Sequence, residues 1–307
     1  MNRTRRDFLQ VAGLGLLAGS TPMSLHAAET PGIRRLNDVV YRTIRTDPKP
    51  LELAVDVAIP TTGKGPFPTL VCIHGGAWRT GSRKDLSQRV PLFSNRSFTE
   101  ILAEKGFVAV SVGYRLSDVA AFPAQIEDCK TVVRFLRANA AKFSVDPEKI
   151  GAVGFSAGGH LACLLGTTTP EQGFDGSEYG QQSSHIQAVV SFFGPTDLTL
   201  YAGTLLEKTI FGPLLGGTVK ERREAFLKAS PISYVNKSTA PTLLIHGTAD
   251  TLVPIVHSRR FHARLQELRV PTELLVMQGE SHGWLDPQKI QQTLDATTRF
   301  FSEQLKP

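Results

Sequence analysis

The chain has 307 residues, 41% of them hydrophobic and 20% charged, which is enough apolar material for a large core and too little charge for a disordered chain. The net charge is +6, with Arg3, Arg5, Arg6 and Asp7 contributing +2 of it; the other Lys and Arg residues are scattered, without a basic stripe interleaved with aromatics, which argues against nucleic acid as a partner. The three cysteines, Cys72, Cys129 and Cys163, have no metal-ligand spacing and read as buried thiols.

Residues 1 to 28 differ from everything that follows. Thr4-Arg5-Arg6-Asp7-Phe8-Leu9-Gln10 sets two arginines before an apolar pair, Val11 to Ala18 is a short apolar run, and His26-Ala27-Ala28 offers small residues for cleavage. The pattern resembles a twin-arginine export signal, with Gln10 where Lys is usual. The expectation is a signal peptide at 1–28, a mature catalytic domain at 29–307, export through the twin-arginine machinery, and a periplasmic or secreted location. The apolar run is too short for a stable membrane anchor.

The mature region alternates strand and helix signals without a linker or internal repeat. Val39 to Thr46 and Leu51 to Ile59 read as an opening strand pair, the second alternating apolar and polar. Thr69 to Ile73 is continuously apolar, as a strand buried on both faces should be. It runs into His74-Gly75-Gly76-Ala77-Trp78, where glycines let backbone N–H groups face a ligand. Trp78 and Arg79 fall near a site mouth, with substrate contact and packing both open for Trp78. Residues 80 to 98 read as loop, Thr99 to Lys105 as helix and Phe107 to Val112 as strand. Ala124 to Phe143 is the clearest helix, with Ile126, Cys129, Val133, Leu136 and Ala140 on one apolar face.

Ile150 to Phe155 reads as a buried strand and Ala157 to Gly166 as a helix. Ser156 stands at the joint in the pattern G-x-S-x-G, from Gly154 to Gly158. A sharp strand-to-helix turn strains its central residue and leaves no room for side chains two positions either side, so glycines belong there and the hydroxyl is pushed outward.

Gln187 to Phe193 reads as the next strand, ending near Asp197, a possible acid at a strand end whose Pro-Thr-Asp-Leu setting favours a capping or turn role. The excursion at 199–240 holds Leu205, Leu206, Ile210, Phe211, Leu214 and Leu215, apolar enough to form a small cap over a site, or else a surface helix pair. Pro241 to Gly247 is strand, with Asp250 just beyond it; Val256 to Leu268 is helix; Thr272 to Met277 is the last strand, followed by His282; Ile290 to Leu305 closes the chain as a helix. This rhythm implies an α/β fold with a mostly parallel central sheet and helices on both faces.

A serine hydroxyl needs a base, and the base needs an orienting carboxylate. Ser156, Asp250 and His282 each follow a strand, and serine, acid, histidine is the chain order of α/β hydrolases. Strand ends of a parallel sheet share one edge, so the three converge. His246 is the rival base and reads as packing at its strand end; His74 reads as support for the glycine turn, and His257 and His262 as helix residues on the surface or in packing. Glu280 and Asp286 share the loop of His282 and are poorly placed as the acid, while Asp128 reads as a surface charge. The expected oxyanion donors are the N–H groups of Gly76, Ala77 and Ala157. Such chemistry needs no metal or organic cofactor.

His74-Gly75-Gly76-Ala77-Trp78, Phe122 to Asp128, Gly154 to His160 and Ile245 to Asp250 resemble bacterial carboxylesterases of the α/β-hydrolase fold, nearest to the BD-FAE-like branch of acetyl-xylan and feruloyl esterases, over about residues 40 to 305. The resemblance implies hydrolysis of an ester in a small molecule or polysaccharide. Arylformamidases and general short-chain esterases share the outline, although export disfavours a cytosolic formamidase. A non-catalytic binding protein on the same scaffold is a third reading, against which an intact Ser156, Asp250 and His282 speaks.

Overall fold

The computed structural model describes residues 32–305. The export-signal reading of residues 1–28 therefore lies outside the described residues. Eight strands form one sheet: β1 (Ile33–Ile44), β2 (Leu51–Pro60), β3 (Phe67–Ile73), β4 (Val108–Val112), β5 (Val145–Phe155), β6 (Ala188–Phe192), β7 (Thr242–Gly247) and β8 (Thr272–Met277). Their spatial order is β1-β2-β4-β3-β5-β6-β7-β8. β2 runs antiparallel to both β1 and β4, and every pairing from β4 to β8 is parallel. The main helices are α1 (Phe98–Glu104), α2 (Ala124–Ala138), α3 (Ala157–Thr167), α4 (Arg223–Lys228), α5 (Val256–Glu267) and α6 (Pro287–Leu305). This is the α/β-hydrolase fold.

The period of two along the central strands splits the core into two layers. Val71 and Ile73 of β3 face a layer with Ile126, Cys129, Val133 and Leu136 of α2, Leu161 and Leu164 of α3, and Phe261 of α5. Leu70 and Cys72 face the other layer, with Ile101 and Leu102 of α1 and Leu294, Phe300 and Phe301 of α6. All three cysteines are buried and free.

All eight strand signals correspond to strands, and the differences have local causes. β1 begins at Ile33 rather than Val39, because Asp38 takes a positive φ of 56° and breaks the register between Leu36 and Val39, hiding the alternation. The helix expected over 124–143 ends at Ala138, where the Asn139 amide donates to Phe135 O. The loop at 80–98 carries short helical turns at Lys84–Ser87 and Pro91–Phe93.

Asp128 corrects the reading of a surface charge. It is fully buried, paired with Arg42 at 2.7 Å and gripped by Arg115 at 2.8 and 2.9 Å. The polar side of α2 is likewise covered, because residues 168–184 fold over it: Lys130 donates to Thr168 O and Ser184 Oγ and pairs with Asp175, as does Arg134. A helical wheel shows polar residues there, and it cannot show that a later loop supplies their partners.

Three buried histidines couple this packing to pH. Burial depresses the pKa of His74, His160 and His257 to about 4. The folded state then binds fewer protons than the unfolded chain below the ordinary value of about 6.5. Their contribution is complete above that value and drains as pH falls toward 4, at about 1.4 kcal/mol per pH unit for each group inside the window. A melting temperature clearly lower at pH 5 than at pH 7.5 is the expected result; an unchanged one would contradict the burial of neutral imidazoles.

Candidate active site

Ser156 sits directly after β5 and before α3, with φ 54° and ψ −116°. A non-glycine residue there is strained by about 1–3 kcal/mol, and the surroundings must hold it. They do so at three points. Ser156 N donates to Phe192 O at 2.9 Å, extending the sheet ladder past the strand end. A Cβ on Gly154 would lie 2.1 Å from Gly158 O, and one on Gly158 would lie 2.1 Å from Ile73 O. The two motif glycines are therefore demanded by backbone contact, the second because α3 starts against the end of β3. Gly158→Ala is expected to lower stability by about 3 kcal/mol or more, or to prevent folding; a soluble variant with an unchanged melting temperature would contradict the packing.

β7 and β8 bring the other two groups to the same edge. A Cβ on Gly247 would lie 2.2 Å from Glu280 O, and Ala249 N donates to Glu280 O at 2.8 Å, so the turn holding Asp250 is pressed against the loop holding His282. His282 Nε2 lies 2.9 Å from Ser156 Oγ, and its Nδ1 lies 2.7 Å from Asp250 Oδ2. The Phe193 ring, 4.6 Å from the imidazole, lies against it. Asp250 Oδ1 accepts from Leu252 N and Val253 N at 2.9 and 2.8 Å. The side chain of Asp250 is fully buried, while that of His282 is 19% exposed. Burial alone would raise the carboxyl pKa; hydrogen bonds from His246 and His282 outweigh it and hold Asp250 well below the usual carboxylate range. The arrangement is a hydroxyl, a base and a fixed anion in line, open to solvent at the serine end.

The turn after β3 faces the same opening. Gly76, Ala77 and Trp78 all have positive φ, at 107°, 53° and 58°. The turn is closed by Arg79 N and Thr80 N donating to Gly76 O at 3.0 Å. A Cβ on Gly76 would lie 2.2 Å from Thr80 O, so only glycine fits. Its neighbour Gly75 lies beside the serine: a Cβ there would stand 3.4 Å from Ser156 Cβ. The N–H groups of Gly76 and Ala77 take no partner among the hydrogen bonds of the described residues. The N–H of Ala157 opens α3 and has no intrahelical acceptor.

Trp78 is 3% exposed, its ring edge-on to His160 at 5.0 Å and against Phe211 at 5.6 Å. It offers substrate almost no surface and packs the turn in place. Phe211 belongs to the excursion at 199–240, which carries a continuous helical stretch over 205–215 and the helix α4. The excursion reaches both sides of the site: Arg79 donates to Thr209 O at 2.9 Å, and Tyr201 OH donates to Leu252 O at 3.3 Å. His160, one turn beyond Ser156, is fully buried and bonds to Ala229 O at 2.6 Å.

The remaining candidates sit apart from this line. His74 is buried and stacks on Tyr114 at 4.3 Å. His257 is buried and accepts from Thr196 N and Asp197 N. Asp197 caps the turn at Leu198–Tyr201. Glu280 pairs with Lys289, and Asp286 accepts from Gln288 N and Lys289 N at the start of α6. His262 bonds to Thr272 on β8. His246 is buried as expected, but directly behind Asp250, a placement the spacing H-G-x-x-D marks in hindsight.

The sequence pattern of the BD-FAE family matches residues 55–265. The chain belongs to that family. The match takes in the Gly76 turn, Ser156 and Asp250, while His282 lies beyond it. Esterase LipC of Mycobacterium tuberculosis is 31% identical over 246 residues, covering 78% of this chain and 59% of LipC. The chain spans about half the length of the curated relatives it matches. Among solved structures, a truncated carbohydrate esterase from gut microbiota superposes with a TM-score of 0.77 at 28% identity, over 89% of this chain and 97% of that one. Esterase 2 of Thermogutta terrifontis gives 0.70 at 26% identity, over 89% and 92%. It is also known with propionate or butyrate bound and phosphoramylated by tabun.

Proposed function

We propose that this chain is a serine carboxylesterase that removes short acyl or hydroxycinnamoyl groups from carbohydrate esters. The carrying observation is His282 held between Ser156 at 2.9 Å and Asp250 at 2.7 Å at the opening of the sheet edge. In this reading His282 Nε2 takes the Ser156 proton as Oγ attacks the ester carbonyl. The oxyanion is met by the N–H groups of Gly76, Ala77 and Ala157, each donor worth about 3 kcal/mol of barrier. Collapse releases the alcohol, which takes the proton from His282, and water then repeats the sequence on the acyl-enzyme. Asp250 keeps the proton on Nδ1 and balances the imidazolium.

The likeness to a carbohydrate esterase supports the sugar side of the ester. The propionate and butyrate complexes of the Thermogutta enzyme support a second reading, a general short-chain esterase. Twin arginines at Arg5 and Arg6 support export to the periplasm or beyond, where polysaccharide esters are met. Hydrolysis of p-nitrophenyl acetate, acetylated xylan and methyl ferulate separates the readings. Release of acetate from xylan supports the carbohydrate reading, and release of ferulate supports a hydroxycinnamoyl acyl group. Turnover of p-nitrophenyl acetate alone supports the general esterase, and no turnover of any ester overturns both.

A further inference from the structure

His246 lies near the end of β7 and is fully buried. Its Nε2 is 2.7 Å from Val253 O and its Nδ1 is 2.7 Å from Ser258 Oγ on α5. A carbonyl oxygen only accepts, so the ring proton sits on Nε2, and Nδ1 accepts from the Ser258 hydroxyl. Two neighbours on different elements thus select one neutral tautomer. The same Nε2 lies 3.4 Å from Asp250 Oδ2, the oxygen that receives His282 Nδ1. Val253 closes the circuit, because its N–H donates to Asp250 Oδ1 while its carbonyl accepts from His246. The carboxylate therefore has two backbone donors on one oxygen, and on the other the His282 N–H with the edge of the His246 ring 3.4 Å away.

We propose that His246 is a positioning residue for Asp250: its one N–H, held by Val253 O with Asp250 Oδ2 3.4 Å away, fixes the acid turn and the direction of the oxygen that His282 reads. The proposal rests on Asp250 being the acid of the triad. A histidine that only filled the core would be replaceable by a similar apolar volume at some cost in stability and none in the reaction. A positioning histidine is not, because without its bond to Val253 O the turn whose N–H holds the buried carboxylate is free to shift.

The test compares His246→Leu, His246→Gln and Ser258→Ala with the unsubstituted enzyme in two assays. On p-nitrophenyl acetate, His246→Leu is expected to lose about tenfold or more in kcat with KM within about twofold, and His246→Gln, whose amide N–H reaches the same place, to recover to within about threefold. Ser258→Ala, which frees the tautomer, falls between. In proton NMR, the downfield imidazole N–H resonance assigned to His282 by its loss in His282→Gln is expected to move in His246→Leu and Ser258→Ala. That resonance does not depend on turnover, so it decides the proposal even if no ester is cleaved, an outcome that would sink the esterase reading instead. A folded His246→Leu with kcat within twofold and an unmoved resonance overturns the proposal, as does a His246→Gln as impaired as His246→Leu. Should His246→Leu fail to fold, an unchanged kcat and resonance in Ser258→Ala overturns it.

Discussion

Replacing Ser156 by alanine is expected to lower kcat for p-nitrophenyl acetate by about 10⁴-fold or more, with little change in KM and none in fold. The change removes one oxygen. It leaves intact the backbone that orders the site: Ser156 N still bonds to Phe192 O, and His160 N still bonds to the carbonyl of residue 156. Alanine at φ 54° carries the same strain as serine, so the elbow keeps its shape. What disappears is the atom that would form the acyl-enzyme in the proposed mechanism, and the remaining donors would only polarise the ester for attack by water. Circular dichroism and melting temperature check the fold beside the kinetics. Loss of less than about tenfold would mean another nucleophile, and among the described residues Ser156 Oγ is the one hydroxyl bonded to His282 Nε2.

Asp250→Asn is expected to cost about 10⁴-fold in kcat at neutral pH. The carboxylate accepts from His282 Nδ1–H at 2.7 Å; an amide presenting its NH₂ there reverses that bond. The imidazole then carries its proton on Nε2, facing Ser156 with a donor where an acceptor is needed. Asparagine keeps the volume, and its carbonyl can still accept from Leu252 N and Val253 N, so the turn survives. The expected pattern is a large fall in kcat, a near-constant KM and a small change in melting temperature. An Asn variant within tenfold of the unsubstituted enzyme would show that Asp250 neither sets the tautomer nor balances charge in the slow step.

Much of this was readable before the structure. The strands announce themselves because their apolar runs are bounded by glycine turns, and the functional groups follow strand ends, where a parallel sheet collects them. The G-x-S-x-G pattern implies crowding, and the structure has it, at 2.1 Å on both glycines. Other features were hidden because their partners come from distant segments. Asp128 reads as a surface charge until Arg42 and Arg115 are seen around it, and the polar face of α2 reads as solvated until residues 168–184 cover it. Trp78 sits within the turn at Gly76, yet its ring turns away to meet His160 and Phe211, the latter supplied by the excursion at 199–240. His246 reads as strand-end packing in the sequence because its bonding partners, Val253 and Ser258, lie past the turn that also carries Asp250.

The most direct test of the central claim is to treat the protein with a p-nitrophenyl alkylphosphonate and locate the adduct by peptide mass spectrometry. An activated serine displaces p-nitrophenol and keeps the phosphonyl group; an ordinary one does not react. The expected result is one adduct per chain, on the peptide containing Ser156, absent from Ser156→Ala and formed far more slowly in His282→Gln. An adduct on another residue, or equal labelling with and without His282, would contradict the assignment of Ser156, His282 and Asp250 as a working triad.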